Sequence, residues 1–217
     1  MTRPLSALRG VMRRFRMAIH LYGQMVIRLP WPWVKLSREN PGNIQDPGPY
    51  IFVCNHRSSS DPFLMAALPR MEYVQVVNVW PFRIPVLGFF AKMAGYLNIN
   101  RMGSEEFFRS AKALLDEGVS IIFFPEGTRS GSREMGTFHS AAFRLFLESG
   151  VPIVPVCISG NERVPPKGSL LLEPGTVRVK ILPPVYRDGL EDLSPFQLKN
   201  RIRERIQDEL NAMEATT

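Results

Sequence analysis

An apolar run, Tyr50-Ile51-Phe52-Val53-Cys54, leads directly into the polar stretch Asn55-His56-Arg57-Ser58-Ser59-Ser60-Asp61. The run follows a Pro-Gly-Pro segment, so it predicts a short buried strand. Asp61 precedes Pro62, and this pair predicts a helix that begins with Asp as its N-cap and Pro at its first position. His56 is therefore expected on a turn between the carboxyl end of a strand and a helix, where open α/β sheets bind their ligands.

The turn pairs an imidazole with a carboxylate. A neutral His56 could take a proton from a hydroxyl group, and Asp61 could fix its tautomer and stabilise the imidazolium that forms. Both are therefore candidate catalytic residues. Each also has a structural explanation, because a turn histidine serves many roles and an Asp in this position caps a helix. The stretch alone leaves both explanations open.

The composition is that of a globular protein in a reducing compartment. A length of 217 residues and a hydrophobic fraction of 45% are enough for one sizeable α/β domain with a core. The two cysteines, Cys54 and Cys157, lie far apart in apolar runs, which predicts buried thiols. The cysteines and the three histidines show no metal-ligand spacing, so no metal site is predicted.

The net charge of +7 is concentrated in residues 1–38. This segment has eight basic residues and no acidic one, so the remaining 19 basic and 20 acidic residues leave the rest of the chain at −1. Its apolar residues recur at helical spacing, for example Leu8, Val11, Met12 and Phe15. The pattern predicts a basic amphipathic helical arm on an anionic membrane surface. A basic helix that docks on its own domain or binds nucleic acid remains an alternative.

The same segment lacks the features of a membrane span or a secretory signal. Its longest uncharged run, residues 17–27, is about half as long as a spanning helix requires. No small-residue cleavage site follows an apolar core. Peripheral or monotopic association with the cytoplasmic face of a membrane is therefore expected, with residues 1–38 as the arm and residues 39–217 as the domain.

Strand and helix patterns alternate through the rest of the chain. Further strands are predicted at residues 73–79, 95–101, 119–124, 151–158 and 176–182. Helices are predicted at residues 82–94 (broken), 104–117, 138–148 and 194–213. The alternation predicts an α/β fold with a mixed, largely parallel sheet that is covered by helices on both faces.

Polar residues follow three of the predicted strands. They are His56 with Asp61, then Arg101, then the run Glu126-Gly127-Thr128-Arg129. Two arginines and glycine-flanked amides could hold a phosphate at this edge of the sheet. Neither of the Gly-rich nucleotide-binding patterns occurs, so a nucleotide site is not predicted.

The order of these motifs resembles the glycerolipid acyltransferases of the lysophosphatidic acid acyltransferase (1-acylglycerol-3-phosphate O-acyltransferase) type. That family has Asn-His-x4-Asp, which Asn55 to Asp61 match, and then a Gly with an Arg about six residues on, as in Gly95 and Arg101. Its Phe-Pro-Glu-Gly-Thr-Arg-Ser motif is matched without change by residues 124–130, and its apolar Val-Pro-Ile-Val-Pro-Val strand by residues 151–156.

The resemblance, over about residues 49–185, implies transfer of a fatty acyl group from a coenzyme A or acyl-carrier-protein thioester to a lysophospholipid hydroxyl in phospholipid biosynthesis. It implies that His56 is the general base and that Asp61 orients it. Arg101 and the residues Glu126, Gly127, Thr128 and Arg129 would hold the phosphate of the acceptor. No cofactor is implied beyond the acyl donor, which is a substrate, and no nucleic-acid partner.

Two stretches depart from the family pattern. Asn78-Val79-Trp80 and Phe138-His139-Ser140-Ala141 lack the lysines that the family commonly has there, so another lyso-lipid, such as a lyso-aminolipid, remains open as the acceptor. A non-catalytic lipid- or nucleic-acid-binding module on the same fold is the alternative function. The presence of both His56 and Asp61 favours the enzyme. The oligomeric state is left open.

Overall fold

The computed structural model describes residues 3–40, 44, 48–78, 86–130, 134–162, 164 and 173–215. The helices are α1 (Arg3–Arg28), α2 (Asp61–Leu64), α3 (Leu87–Met93), α4 (Ser104–Asp116), α5 (Ala141–Ser149) and α6 (Pro195–Ala215). The strands are β1 (Val34–Glu39), β2 (Ile51–Cys54), β3 (Tyr73–Val77), β4 (Leu97–Asn98), β5 (Ser120–Phe123), β6 (Ile153–Ser159) and β7 (Gly175–Ile181). A 3₁₀ helix, Met65–Ala67, continues α2.

These strands form one seven-stranded sheet in the order β1-β7-β6-β2-β5-β3-β4. Strands β2 to β6 are mutually parallel, and β1 is parallel to β7. Because β7 pairs with β6 in the antiparallel sense, β1 and β7 run opposite to the other five strands. The predicted mixed, largely parallel sheet is confirmed.

The central strands are apolar on both faces because helices cover both. Successive residues of a strand point to opposite faces. Ile51, Val53 and Ile121 accordingly belong to the core beneath α4, α5 and α6. Phe52 and Cys54 belong to a second core, which packs against α2 and the end of α1. The predicted helical layers on both faces are confirmed.

The register of the parallel strands brings their carboxyl ends to one edge. Phe52 of β2 lies opposite Ile122 of β5 and Val154 of β6. The turns that follow these three strands therefore meet at the same level of the sheet. His56, Glu126 and Asn161 lie in these turns.

Helix α1 packs on the domain. Arg9 pairs with Glu117 at 3.1 Å, and Arg13 pairs with Glu72 at 2.6 Å. The buried Arg16 Nε donates to Ala94 O at 2.9 Å. The arm predicted from residues 1–38 is thus docked over much of its helical part.

The predicted boundary between residues 38 and 39 falls inside β1. This strand pairs with β7 from Val34 to Glu39, so residues 34–38 belong to the sheet. The sequence did not indicate the strand because it is an edge strand in which Val34 alone is buried. The domain therefore begins before residue 39.

Part of α1 and the segment after it exposes apolar side chains. They include Leu8, Val11, Tyr22, Met25, Leu29, Trp31 and Trp33. Four of them, Leu8, Val11, Tyr22 and Met25, belong to α1, and their spacings of three and eleven residues place them along one side of the helix. Within the described residues, no helix is long and apolar enough to span a bilayer.

The docking of α1 can be tested at two of its glycines. An ideal Cβ on Gly23 would lie 2.7 Å from Ala66 Cβ, whereas nothing lies within 4 Å of one on Gly10. Alanine should add about 0.8–1.0 kcal/mol of helix propensity at either position. At Gly23 alone, overpacking should cost about 1–3 kcal/mol. We expect calorimetry to show a higher melting temperature for Gly10→Ala and a lower one for Gly23→Ala. Equal gains for both would contradict the close packing of α1.

Candidate active site

The carboxylate of Asp61 is completely buried and accepts four hydrogen bonds. Its Oδ2 accepts from His56 Nδ1 at 2.7 Å, from Arg57 N at 2.7 Å and from Ser58 N at 2.9 Å. Its Oδ1 accepts from Asn161 Nδ2. Since an ionised carboxylate only accepts, His56 carries its proton on Nδ1. The lone pair of the neutral ring is then on Nε2.

The predicted N-cap role of Asp61 is wrong. Asp61 is the first residue of α2, and the capping position belongs to Ser60, whose side chain makes no capping bond. The Asp61 carboxylate points back to the turn before the helix and closes it through two main-chain amides. Asp61 therefore links the His56 turn to the start of α2.

His56 is held by its main chain as well as by its ring. His56 N donates to Glu126 Oε1 at 2.7 Å, and His56 O accepts from Ser130 N at 2.9 Å. The ring packs against Phe124, with 4.8 Å between the two ring centroids. The side chain is 17% exposed. The turn after β5 therefore positions His56 and leaves part of its ring accessible.

Glu126 connects two loops of the site. Its Oε1 accepts from His56 N, and its Oε2 accepts from Gly136 N at 2.8 Å. Burial raises the pKa of Glu126, and these two hydrogen bonds oppose the shift. Both carboxylate oxygens are thus engaged by main-chain amides, and the substrate contact predicted for Glu126 stays a prediction.

A cavity of about 960 Å³ lies beside the ring of His56. Much of its wall is apolar or aromatic, as at Ile19, Phe63, Val76, Tyr96, Ile99 and Phe123. Helix α1 contributes Ile19, Tyr22 and Gly23 to this wall. Exposed polar residues mark the opening, namely Asn100, Thr128, Arg129 and His139. The cavity thus combines an apolar interior with a polar mouth.

The predicted substrate-binding residues separate into two groups. Glu126, Gly127, Thr128 and Arg129 line the cavity together with His56. Arg101 lies outside the described lining, exposed in the turn after β4, where its main-chain N donates to Asn98 O at 3.1 Å. Its predicted phosphate contact stays a prediction.

Two asparagines, Asn78 and Asn100, lie at the cavity edge, and Asn78 begins one of the two stretches that lack the family's lysine. Asn78 Nδ2 donates to Gly127 O at 3.2 Å, and Asn78 Oδ1 accepts from Asn100 Nδ2 at 3.1 Å. Trp80 lies outside the described residues. In the second stretch, His139 lines the cavity beside Gly127. The mouth therefore has neutral amides and an imidazole at the positions of the absent lysines.

Sequence analysis missed Asn161, which lies one hundred residues from Asp61. The available signal was its place directly after a buried strand whose neighbours end at the proposed site. Among the described residues, no group of three His, Cys, Asp or Glu side chains converges as a metal site requires.

Comparisons with known proteins identify a family and related enzymes. The acyltransferase family model matches residues 35–159. A chloroplastic 1-acyl-sn-glycerol-3-phosphate acyltransferase of Brassica napus is 34% identical over 162 residues, which cover 73% of this chain and 46% of that protein. The enzyme of that name from Salmonella typhimurium is 30% identical over 190 residues, which cover 85% of this chain and 72% of that protein.

The fold is also similar to a solved structure. The crystal structure of the 1-acyl-sn-glycerophosphate (LPA) acyltransferase from Thermotoga maritima superposes with a TM-score of 0.78 at 25% sequence identity. The match covers 99% of this chain and 84% of that one. The chain spans about half the length of the chloroplastic relatives from Brassica napus and Arabidopsis thaliana, at 46% and 45%.

Proposed function

This chain belongs to the acyltransferase family, and we propose that it transfers a fatty acyl group from a thioester to the hydroxyl of lysophosphatidic acid. The names of its relatives supply the acceptor. The observation that carries the proposal is the pair His56 and Asp61, joined at 2.7 Å beside a largely apolar cavity. The donor is an acyl-coenzyme A or an acyl carrier protein thioester.

His56 acts as the general base in this reaction. As the acceptor hydroxyl oxygen attacks the thioester carbonyl carbon, His56 Nε2 takes the hydroxyl proton. Asp61 stabilises the imidazolium through Nδ1. When the tetrahedral intermediate breaks its carbon–sulfur bond, His56 returns the proton to the leaving thiolate. No covalent enzyme intermediate is needed, because the thioester is already activated.

Main-chain amides near His56 are available for the developing oxyanion. The turn after β5 is tied to His56 through Ser130 N and through the Glu126 carboxylate. Between these ties, the N–H groups of Thr128 and Arg129 have no acceptor within the described residues. Amides in such a position can stabilise negative charge on the thioester oxygen without reorganisation.

The cavity offers surfaces for the acyl chain and for the headgroup. Its apolar wall suits a fatty acyl chain, which gains about 0.8 kcal/mol for each CH₂ group buried. Arg129 and the nearby amides at the mouth suit an anionic headgroup. Arg101 is the second cation proposed for the acceptor's phosphate.

Helix α1 is also proposed to attach the protein to a membrane. Arg14 and Arg28 are exposed and have no carboxylate partner among the described residues. They lie on the same helix as the exposed apolar residues Leu8, Val11 and Met25. Cations beside an apolar surface favour an anionic bilayer, and both the acceptor and the product are lipids. Peripheral attachment at the cytoplasmic face is proposed.

The test of the function uses purified protein, an acyl thioester and a panel of lyso-lipids, with products identified by mass. The panel contains lysophosphatidic acid, a lysophospholipid with a larger headgroup and a lyso-aminolipid, each with coenzyme A and acyl-carrier-protein donors. Acylated lysophosphatidic acid is expected. Product from the lyso-aminolipid alone would replace the acceptor, and no product from any acceptor would favour a non-catalytic binding module.

Asp61→Asn should remain folded and lose most of its activity. The oxygen of the introduced amide can still accept from the Arg57 and Ser58 amides, while its NH₂ group faces Asn161, whose own amide can rotate to accept. Weaker hydrogen bonds should cost about 1–2 kcal/mol of unfolding free energy. Without the charge the imidazolium is not stabilised, a change that costs about 10⁴-fold in a serine protease triad. His56→Ala should be similarly inactive.

Turnover assays and thermal unfolding of both variants and of the double variant check this prediction. Because the two residues act as a unit, the double variant should be little worse than either single one. A folded, fully active Asp61→Asn enzyme would remove Asp61 from the mechanism.

Arg129→Ala should raise the KM for lysophosphatidic acid by about 10–100-fold, because a hydrogen bond to a charged group contributes about 1.5–3 kcal/mol. The KM for the thioester should change little. Arg101→Ala is expected to have a smaller effect, since Arg101 lies outside the described cavity lining. Steady-state kinetics with each substrate varied in turn measures both. Equal losses for acceptor and donor would contradict a headgroup contact at Arg129.

The double variant Arg14→Gln/Arg28→Gln should bind anionic vesicles about 30-fold more weakly, since each cation near the surface contributes about 1 kcal/mol. Sedimentation with phosphatidylserine-containing vesicles at several salt concentrations measures this. Arg187→Gln/Arg201→Gln removes the same charge from exposed residues outside α1 and should bind as the wild type does. Equal losses in both double variants would contradict a membrane surface on α1.

A further inference from the structure

Asn161 lies in the turn after β6, next to the carboxylate that orients His56. Its side chain is completely buried, and its Nδ2 donates to Asp61 Oδ1. The other carboxylate oxygen accepts from His56 Nδ1. Asn161 is absent from the described lining of the cavity, so any effect on the reaction would have to pass through Asp61.

The turn that carries Asn161 is fixed on both sides. Gly160 has a φ of +79°, and a Cβ there would lie 2.2 Å from Thr176 O, so this position requires glycine. Before the turn, the main chain of Ile158 exchanges two hydrogen bonds with the Asn55 side chain, at 2.7 and 2.9 Å. The end of β6 is thereby tied to the start of the His56 turn.

The hydrogen bonds of Asn161 argue against a role in stability alone. Its Oδ1 is buried and has no partner among the described residues. An unsatisfied buried acceptor costs about 1–3 kcal/mol, which offsets much of the gain from the bond to Asp61. The bond also orients the carboxylate, because it fixes Asp61 Oδ1, the oxygen that does not face His56. This orienting effect is not cancelled by the unsatisfied acceptor.

We infer that Asn161 is a positioning residue for acyl transfer: its amide holds Asp61 so that Oδ2 accepts from His56 Nδ1. This inference rests on the proposed function. Without the amide, Asp61 Oδ1 is a buried charged oxygen with no side-chain donor. The carboxylate is then held only through Oδ2, by the Arg57 and Ser58 amides, and can turn about these bonds, so the imidazole loses its fixed orientation.

Two substitutions that keep the branching and the number of side-chain heavy atoms separate positioning from packing. Asn161→Leu removes the donor and should lower kcat by about 10–100-fold at every pH, as loss of an outer partner does at metal sites, with little change in KM. Asn161→Asp places a carboxyl group beside Asp61, and such a pair holds a shared proton. While that proton is bound, the introduced carboxyl group can donate as the amide did, and activity should stay close to that of the wild type.

The pH profile of Asn161→Asp is the decisive measurement. As pH rises and the shared proton leaves, two carboxylates repel each other and Asp61 can no longer hold its position. The kcat profile should therefore gain a descending limb that the wild type lacks. Besides His56, the described ionisable groups near Asp61 include Arg57, whose guanidinium pairs with Glu214, and Glu126 and Cys54, and burial raises the pKa of the last two. They are unchanged in the variant, so the new limb reports the introduced pair.

Asn211→Asp is the matched control, because it makes the same change at an exposed residue of α6. It should keep the wild-type profile. A wild-type profile in Asn161→Asp, or an unchanged kcat in Asn161→Leu, would overturn the inference. So would failure of both variants to fold when Asn211→Asp folds, because Asn161 would then be structural.

A second readout does not depend on catalysis. In the wild type, the His56 Nδ1 proton that is bonded to Asp61 should give a downfield NMR signal that exchanges slowly. The signal should broaden or disappear in Asn161→Leu and remain in Asn211→Asp. If the wild type acylates no acceptor, the proposed function fails, while this signal still decides whether Asn161 positions the pair.

Discussion

A single buried carboxylate organises the site. Asp61 accepts hydrogen bonds from the His56 ring, from two main-chain amides of the same turn and from Asn161 on another strand end. A buried charge is costly unless it is satisfied in this way. The chain must therefore bring the His56 turn, the start of α2 and the turn after β6 together before Asp61 can be buried. The fold and the proposed chemistry therefore both depend on the hydrogen bonds of the Asp61 carboxylate.

The parallel sheet makes this convergence possible. Strands β5, β2 and β6 are adjacent and in register, so their following turns meet at one edge. Each turn contributes a different part of the site. The turn after β2 supplies His56, the turn after β5 holds its main chain through Glu126 and Ser130, and the turn after β6 supplies Asn161. Glu126 thus acts between main-chain groups, although its motif alone suggested a contact with the acceptor.

The sequence was sufficient for the fold class and for the central pair of the site. Apolar runs such as residues 50–54 and 119–124 predicted buried strands, because fully buried parallel strands are apolar on both faces. His56 and Asp61 lie within one turn, so their pairing could be predicted from their spacing in the sequence. Contacts between distant segments could not be predicted in this way, as the hydrogen bond from Asn161 to Asp61 shows. The edge strand β1 was missed because its side chains are mostly exposed and show no clear alternation.

The net charge of residues 1–38 was not sufficient to predict how α1 packs. Eight cations without an acid suggested a separate arm, yet Arg9, Arg13 and Arg16 face carboxylates of the domain. Exposed pairs of this kind contribute little stability, and burial of the Arg16 charge is costly. The close packing at Gly23 and the aromatic contacts of α1, such as Phe15 against Phe90, must therefore account for most of the docking. The same helix contributes Tyr22 and Gly23 to the cavity wall. Tyr22 is also one of the exposed apolar residues of α1, so a membrane attached to that side would adjoin the cavity wall.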